Sequence, residues 1–420
     1  MSSYVNMNEF HFSGLTSQSN IYGLTTLTTS DGLNKVLIAS RKRKVYCIEY
    51  TKNEVSTIPS TTEVQFTYIP GGAEIISIDA FNKSTENHDF LVGITFVKLG
   101  EQFDSSAPVS TFFNIYSEWQ PVTECNLDNI AQGCFSLTLS FTPYHLTHVK
   151  VITENNEEIV WLLSGGDCKV HVYKEDKSHQ CFCEEPPNLF PEFDNLSGIV
   201  QWMDFVHLQN RRVSAYGTQE GLVGVSVVAL VSDYAKLESS YVVKHDLPVS
   251  VVRLFTDETD VKLPTFLRRE ETSEADEVLP SVHLAVGGTL ELSVVYKDVL
   301  VDGLDRQFPL RNSDCFDCVT AVYVADVDMD GNNEILIGTY GQELLCYKWI
   351  NSEYVFQWNH SFPYPILSIA YVDIIGDGIK EILVLSTKGV HIMQHDLQKA
   401  LQLCIKRMQS FFEECVTLTT

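Results

Sequence analysis

Short apolar runs rich in Val, Ile and Leu recur along nearly the whole chain, each followed by a turn and a second strand-like run. The clearest pair is VADVDMDGNNEILIGTYGQELLCYK at 324–348 and YVDIIGDGIKEILVLSTKGVHIMQH at 371–395, which align without a gap at an offset of 47. Each reads as an apolar strand, an acidic glycine turn, an apolar strand, a polar turn and an alternating strand. The second half of this unit returns at 35–50, 158–174, 212–228 and 282–298, and in stretched form at 89–96 with 112–117. That makes seven copies. Upstream partner strands are visible at 74–81 and 249–255. Helical periodicity is nearly absent before residue 394, and a sheet-only chain of this size must hide its strand edges. Radial blades do so by repetition, so the pattern predicts an all-β fold, a seven-bladed β-propeller. Two separate sandwiches are the competing architecture, and the near-constant unit weighs against them.

The spacing between copies is uneven, which assigns insertions to loops on one rim. The charged segment 256–281, TDETDVKLPTFLRREETSEADEVLPS, is the largest, with 98–111 and 175–198 as smaller candidates. After residue 394 the period changes. Leu397, Leu401, Cys404, Met408, Phe411 and Cys415 are spaced 4, 3, 4, 3, 4, the seam of an amphipathic helix that Asp396 can cap. This predicts a propeller over 1–394 and a C-terminal amphipathic α-helix and tail over 395–420. The seam either packs on the propeller or docks on another chain, with Leu397, Leu401, Cys404, Met408 and Phe411 as the partner-binding candidates.

Charge narrows the partners. The 420 residues carry 29 Lys plus Arg and 55 Asp plus Glu, a net charge of −26. Such a chain repels phosphate backbones, so no nucleic-acid partner is expected. No run of 18 apolar residues exists to span a bilayer, and the first 20 residues do not read as a signal peptide. Membrane residence, if any, is expected to be borrowed from a partner. The 11 cysteines lack a framework spacing, and Cys47, Cys168 and Cys346 lie in apolar runs, as reduced buried thiols do. Arg41, Lys42, Arg43 and Lys44 form the one dense basic run, read as a hairpin tip that could also dock an acidic partner or a lipid head group.

Candidate chemistry is sparse. Asp326, Asp328, Asp330, Asn332 and Glu334 have the spacing of an oxygen-ligand calcium loop joining two strands, with Gly331 at the bend. The competing reading is that these acids cap a tight turn through local N–H groups. The second copy keeps Asp373, Asp377 and Glu381 but places Ile375 where the third-position ligand should be. Cys315 and Cys318 form a CxxC pair and Cys181 and Cys183 a CxC pair near His179, yet nothing in the sequence brings the two pairs together to hold zinc. G-x-S-x-G, P-loop and HExxH motifs are absent, so no enzymatic activity and no cofactor other than calcium are expected.

Several stretches carry a family resemblance: SQSNIYGL (17–24), VQFTYIPGGAEIISIDAFNKS (64–84), VGITFVK (92–98), NLDNIAQGC (126–134), NLFPEF (188–193), TYGQELLCYK (339–348) and KGVHIMQH (388–395). Across nearly the full length the chain resembles the kaptin family, and its acidic turns look like FG-GAP repeats of the integrin-alpha type. The resemblance implies a non-enzymatic subunit of the KICSTOR complex, with a second FG-GAP propeller protein among its neighbours. It implies a role at the lysosomal surface, recruiting a GATOR-type GTPase-activating complex and restraining TOR-complex signalling when amino acids or glucose are scarce. It also implies an association with actin filaments. No catalytic residues carry over.

Overall fold

The computed structural model describes residues 7–29, 32–52, 57–83, 89–99, 109–117, 127–153, 156–208, 210–231, 234–257, 280–402, 405 and 408–409. Residues 258–279 of the charged segment, Cys404 and Phe411 therefore lie outside the described residues.

Seven four-stranded antiparallel sheets form the ring. Strand β1 (Met7–Gly14) stands apart in sequence. Blade 1 holds β2 (Leu24–Thr28), β3 (Asn34–Ala39), β4 (Val45–Lys52) and β5 (Thr57–Val64). Blade 2 holds β6 (Ala73–Asn82), β7 (Phe90–Lys98), β8 (Ser110–Tyr116) and β9 (Cys134–Leu139). Blade 3 holds β10 (Pro143–Thr153), β11 (Asn156–Gly165), β12 (Val170–Asp176) and β13 (Cys181–Glu185). Blade 4 holds β14 (Val200–Leu208), β15 (Arg211–Thr218), β16 (Leu222–Val231) and β17 (Tyr234–Lys244). Blade 5 holds β18 (Val249–Thr256), β19 (Val282–Gly288), β20 (Val294–Tyr296) and β21 (Gln307–Pro309). Blade 6 holds β22 (Val319–Ala325), β23 (Glu334–Thr339), β24 (Glu343–Ile350) and β25 (Glu353–Ser361). Blade 7 holds β26 (Ile366–Val372), β27 (Glu381–Ser386) and β28 (Gly389–His395), and β1 supplies its outer strand.

All seven sequence copies are second and third strands of blades. The reason is burial. Each pair of neighbouring blades encloses one apolar cluster, such as Val92, Ile94 and Leu37 between blades 1 and 2, or Leu383, Ile392 and Val36 between blades 7 and 1. Middle strands are covered on both faces and so read as continuous apolar runs. Gly93 shows how close this packing is: a Cβ there would lie 2.8 Å from the ring of Trp161 in the next blade. Inner strands contact one another around the ring, with β2 against β26 closing it. At the axis, the Tyr22 hydroxyl donates to the Gln201 carbonyl across the ring at 2.8 Å, beside His145 stacked on Trp202.

Antiparallel order fixes which connections share a face. First-to-second and third-to-fourth strand connections lie on one face; the others lie on the opposite face. Segment 256–281 joins β18 to β19 and 98–111 joins β7 to β8, so the strand ends that flank the two insertions lie on opposite faces, not on one rim; residues 100–108, like 258–279, lie outside the described residues. Segment 175–198 is no simple loop: it carries β13 and two 3-10 turns, Pro187–Leu189 and Pro191–Phe193. Cys47 and Cys346 are buried, but Cys168 sits in a hairpin turn with φ 62° and is only half-buried.

Candidate functional site

The acidic turn of blade 6 runs from the end of β22 to the start of β23. Its carboxylates first build the turn. Asp326 accepts N–H groups from Asp330 (2.9 Å) and Gly331 (2.8 Å). Gly331 has φ 91°, a region that suits glycine. Asp330 accepts from the Asn332 backbone at 3.0 Å and side chain at 3.1 Å. Glu334 turns inward and accepts N–H groups from Val327 (2.8 Å) and Asp328 (3.2 Å).

Asp326, Asp328 and Glu334 each place one oxygen within 4.8 Å of the others, a donor set that suits a hard cation. The sequence did not single out Lys348, which faces Glu334 across the β23–β24 ladder. Its Nζ lies 2.5 Å from Asp328, 2.8 Å from Asp330 and 2.6 Å from Glu334. Burial opposes the Lys348 charge, but the three carboxylates hold its pKa above the usual lysine range. Burial pushes Glu334 up to about 7 despite the ammonium. Calcium and Lys348 would thus compete for two of the three converging carboxylates.

The turn of blade 7 repeats the frame without the cation. Asp373 accepts N–H groups from Gly376 (2.5 Å), Asp377 (3.2 Å) and Gly378 (2.8 Å). Ile375 is buried in the cluster between blades 7 and 1. Glu381 accepts from the Ile374 N–H at 3.1 Å, while its Oε1 is buried with no hydrogen-bond partner. The gap-free alignment of the two copies fails here. Leu336 pairs with Cys346, yet its counterpart Leu383 pairs with Ile392. A hairpin shorter by one residue thus puts Gln394, not His395, in the register of Lys348. With no cation opposite, burial pushes Glu381 up to about 8, so it is neutral at pH 7.

Strand β28 ends on the same face as these turns, and the C-terminal helix leaves from there. It is helical over 397–402, at 405 and at 408–409. The Asp396 carboxylate accepts N–H groups from Gln398 (3.1 Å) and Lys399 (3.3 Å), the cap its position predicts. Ala400 is buried, whereas Leu397, Leu401, Ile405 and Met408 are 46%, 60%, 42% and 50% exposed. The described part of the seam therefore faces outward. The basic run lies on the opposite face, in the β3–β4 turn. Arg41 pairs with Glu74 at 2.8 Å and Lys44 with Glu63 at 2.6 Å, Arg43 donates to the Ile69 carbonyl at 3.4 Å, and Lys42 is exposed. Such exposed pairs are screened by solvent and add little to stability.

The cysteine pairs stay apart in the fold. Cys181 and Cys183 share β13 with sulfurs 3.8 Å apart, whereas Cys315 and Cys318 lie in the β21–β22 connection. Among the described residues, neither pair belongs to a group of three metal-ligating side chains.

These features define a closed seven-bladed β-propeller, with the two acidic turns and the C-terminal helix on one face and the basic turn on the other. A family model described as KICSTOR complex protein kaptin matches residues 7–405. The chain is 40% identical over 414 residues to the mouse (Mus musculus) protein named KICSTOR complex protein kaptin, covering 97% of this chain and 92% of that relative. The chain belongs to the kaptin family. Among solved structures, a chain from a crystal structure of BBS1N in complex with ARL6DN matches with a TM-score of 0.54 and 10% identity, covering 93% of this chain and 96% of that one. A chain of the mitotic checkpoint complex matches with a TM-score of 0.50 and 11% identity, covering 94% and 93%. At these identities the likeness is one of fold.

Proposed function

We propose that this protein is a non-enzymatic scaffold subunit of a KICSTOR-type complex. In that role it helps recruit a GATOR-type GTPase-activating complex to lysosomes and so restrains TOR-complex signalling during amino-acid or glucose starvation. Family membership supports the complex, and the outward apolar stripe of the C-terminal helix is the observation that carries the scaffold role. Leu397, Leu401, Ile405 and Met408 leave water only if another surface covers them, and burying one such side chain is worth about 1.5–3 kcal/mol. The covering surface is assigned to another subunit, with a second FG-GAP propeller protein as the first candidate. The test is a Leu401→Asp/Met408→Asp variant in cells. Recovery of the other KICSTOR subunits should fall while the thermal midpoint of the purified protein stays within a degree or two. Undiminished recovery would remove the helix from the interface.

A second reading is an association with actin filaments through Arg41–Lys44, favoured by the exposed position of Lys42 on the opposite face. Cosedimentation of the purified protein, with and without Lys42→Glu, tests it; no pelleting with filaments would end it. A third is a calcium-dependent ligand-binding role at Asp326, Asp328 and Glu334, supported by the convergence of their oxygens. Calorimetry at millimolar calcium decides it, and a flat titration would dismiss it.

A further inference from the structure

The face opposite the acidic turns carries the connections between second and third strands and those from one blade to the next. Over blades 5 and 6 these connections are stitched into one ledge. The Thr289 N–H donates to the Pro248 carbonyl at 3.0 Å, Val319 to Thr289 at 2.9 Å, Tyr340 to Cys318 at 2.7 Å and Phe362 to Gln342 at 2.7 Å. The ledge holds apolar side chains out in water: Leu247, Leu290, Tyr340 and Tyr364 are 38%, 60%, 46% and 36% exposed. Interspersed along it are the exposed residues Asp246, Asp314 and Asp317. The neighbouring cations are engaged elsewhere, Arg311 with Glu353 at 3.6 Å and His245 with Glu291 at 3.4 Å. Among the described residues, none of the three aspartates has an ion pair of its own.

Over blades 1 and 2 the same face has the opposite charge. Of the four cations in the β3–β4 turn, Arg41 is neutralised by Glu74 and Lys44 by Glu63, which leaves Lys42 and Arg43 exposed without a carboxylate. Arg43 reaches the carbonyl of Ile69, so the basic turn sits beside Tyr68. Tyr68 is 71% exposed and has φ 61°.

We infer that this face pairs with the same face of a second copy of the chain about a two-fold axis. The complement of the ledge lies on the same face of the same molecule, and a two-fold operator lays each half of one copy on the other half of its partner. Every contact is then made twice, and the assembly closes at two copies. Lys42 and Arg43 meet the unpaired aspartates, the exposed rings of Tyr340 and Tyr364 offer their faces to the same cations, and Tyr68 adds apolar cover. A lipid surface suits this face less well, because the ledge carboxylates repel anionic head groups. The pairing stands independently of the C-terminal helix, which leaves from the other face.

Sedimentation velocity of the purified full chain, from micromolar to near-millimolar concentration, is the test. Wild type should pass from one chain to two as concentration rises. Asp246→Lys/Asp314→Lys and Lys42→Glu/Arg43→Glu should each weaken the dimer by at least roughly tenfold, since like charges then face one another twice. All four positions are exposed, so both variants should fold; Asp317 is left alone because its carboxylate accepts the Cys318 N–H at 2.7 Å. Mixing the two variants restores opposite charges at both contacts, so a mixed dimer should form with nearly the wild-type affinity, a rescue that misfolding could not produce. Four results would overturn the inference: a monomer at every concentration, dimers of both variants as tight as wild type, no mixed dimer, or a dimer lost in Leu401→Asp/Met408→Asp and kept in the charge reversals.

Discussion

Glu381 offers a quantitative check on how the blade 7 turn is built. Its side chain is buried, one oxygen holds the Ile374 N–H, and the other has no partner. Glu381→Gln keeps the shape and removes the titration. In the folded chain burial raises the pKa from 4.5 to about 8. The folded state therefore keeps its proton at pH values where the unfolded state has released it. Because the folded state binds more protons, stability falls as pH rises from about 4.5 to about 8, the reverse of the usual carboxylate. At about 1.4 kcal/mol per pH unit the full shift corresponds to roughly 5 kcal/mol. Screening at the solvent-facing turn cuts that to about 2–3 kcal/mol. Urea midpoints of wild type and Glu381→Gln, taken from pH 5 to pH 8.5, give the measurement. The two should lie close together at pH 5, and the variant should gain steadily above it. Parallel curves over that range would refute the buried, unpaired carboxyl.

Other perturbations test the remaining framework. Lys348→Met leaves buried Glu334 without its cation, so stability at pH 8 should drop by about 3 kcal/mol; calcium titrations should show tighter binding to the variant than to wild type, and identical heats would mean the ammonium does not control those oxygens. Arg212 and Glu192 form a fully buried pair at 2.8 Å, with Arg212 also donating to the Leu189 carbonyl; Arg212→Met should cost about 3–5 kcal/mol by chemical denaturation. Gly93→Ala drives a methyl into Trp161, and a loss of about 1–3 kcal/mol with altered tryptophan fluorescence is expected. Deleting residues 1–14 strips the outer strand from blade 7 and bares the β28 edge, so light scattering should report aggregation near room temperature.

The architecture was legible where burial is two-sided. Runs such as EILIG and EILVL announce middle strands because both faces of each are covered. Outer strands were mostly silent. TIPSTTEV of β5 and QFP of β21 are polar or short, since one side meets water and their partners supply the ladder. The same holds for β1: MNEFHFSG has Phe10 and Phe12, but both are exposed, so no apolar run marks it. At the acidic turn the capping carboxylates could be read from their spacing. Lys348 could not, because a cross-strand contact depends on hairpin length, and one residue in that length separates Lys348 from Gln394. The signal was present only as a lysine closing the apolar run ELLCYK.

Closure by β1 ties together two strands nearly 400 positions apart, about 388 residues from Met7 to His395. At roughly 5–20 residues per second, translation takes roughly 20–80 s to bring the partner of Met7, His395, off the ribosome. Throughout that time the nascent chain carries an orphan N-terminal strand bearing two phenylalanines, while blades 1 to 6, each contiguous in sequence, can form in turn. Joining ends so far apart costs about 5 kcal/mol of loop entropy. The clasp is thus the step at which a chaperone would matter most, and a message truncated within blade 7 would yield an open crescent with two sticky ends.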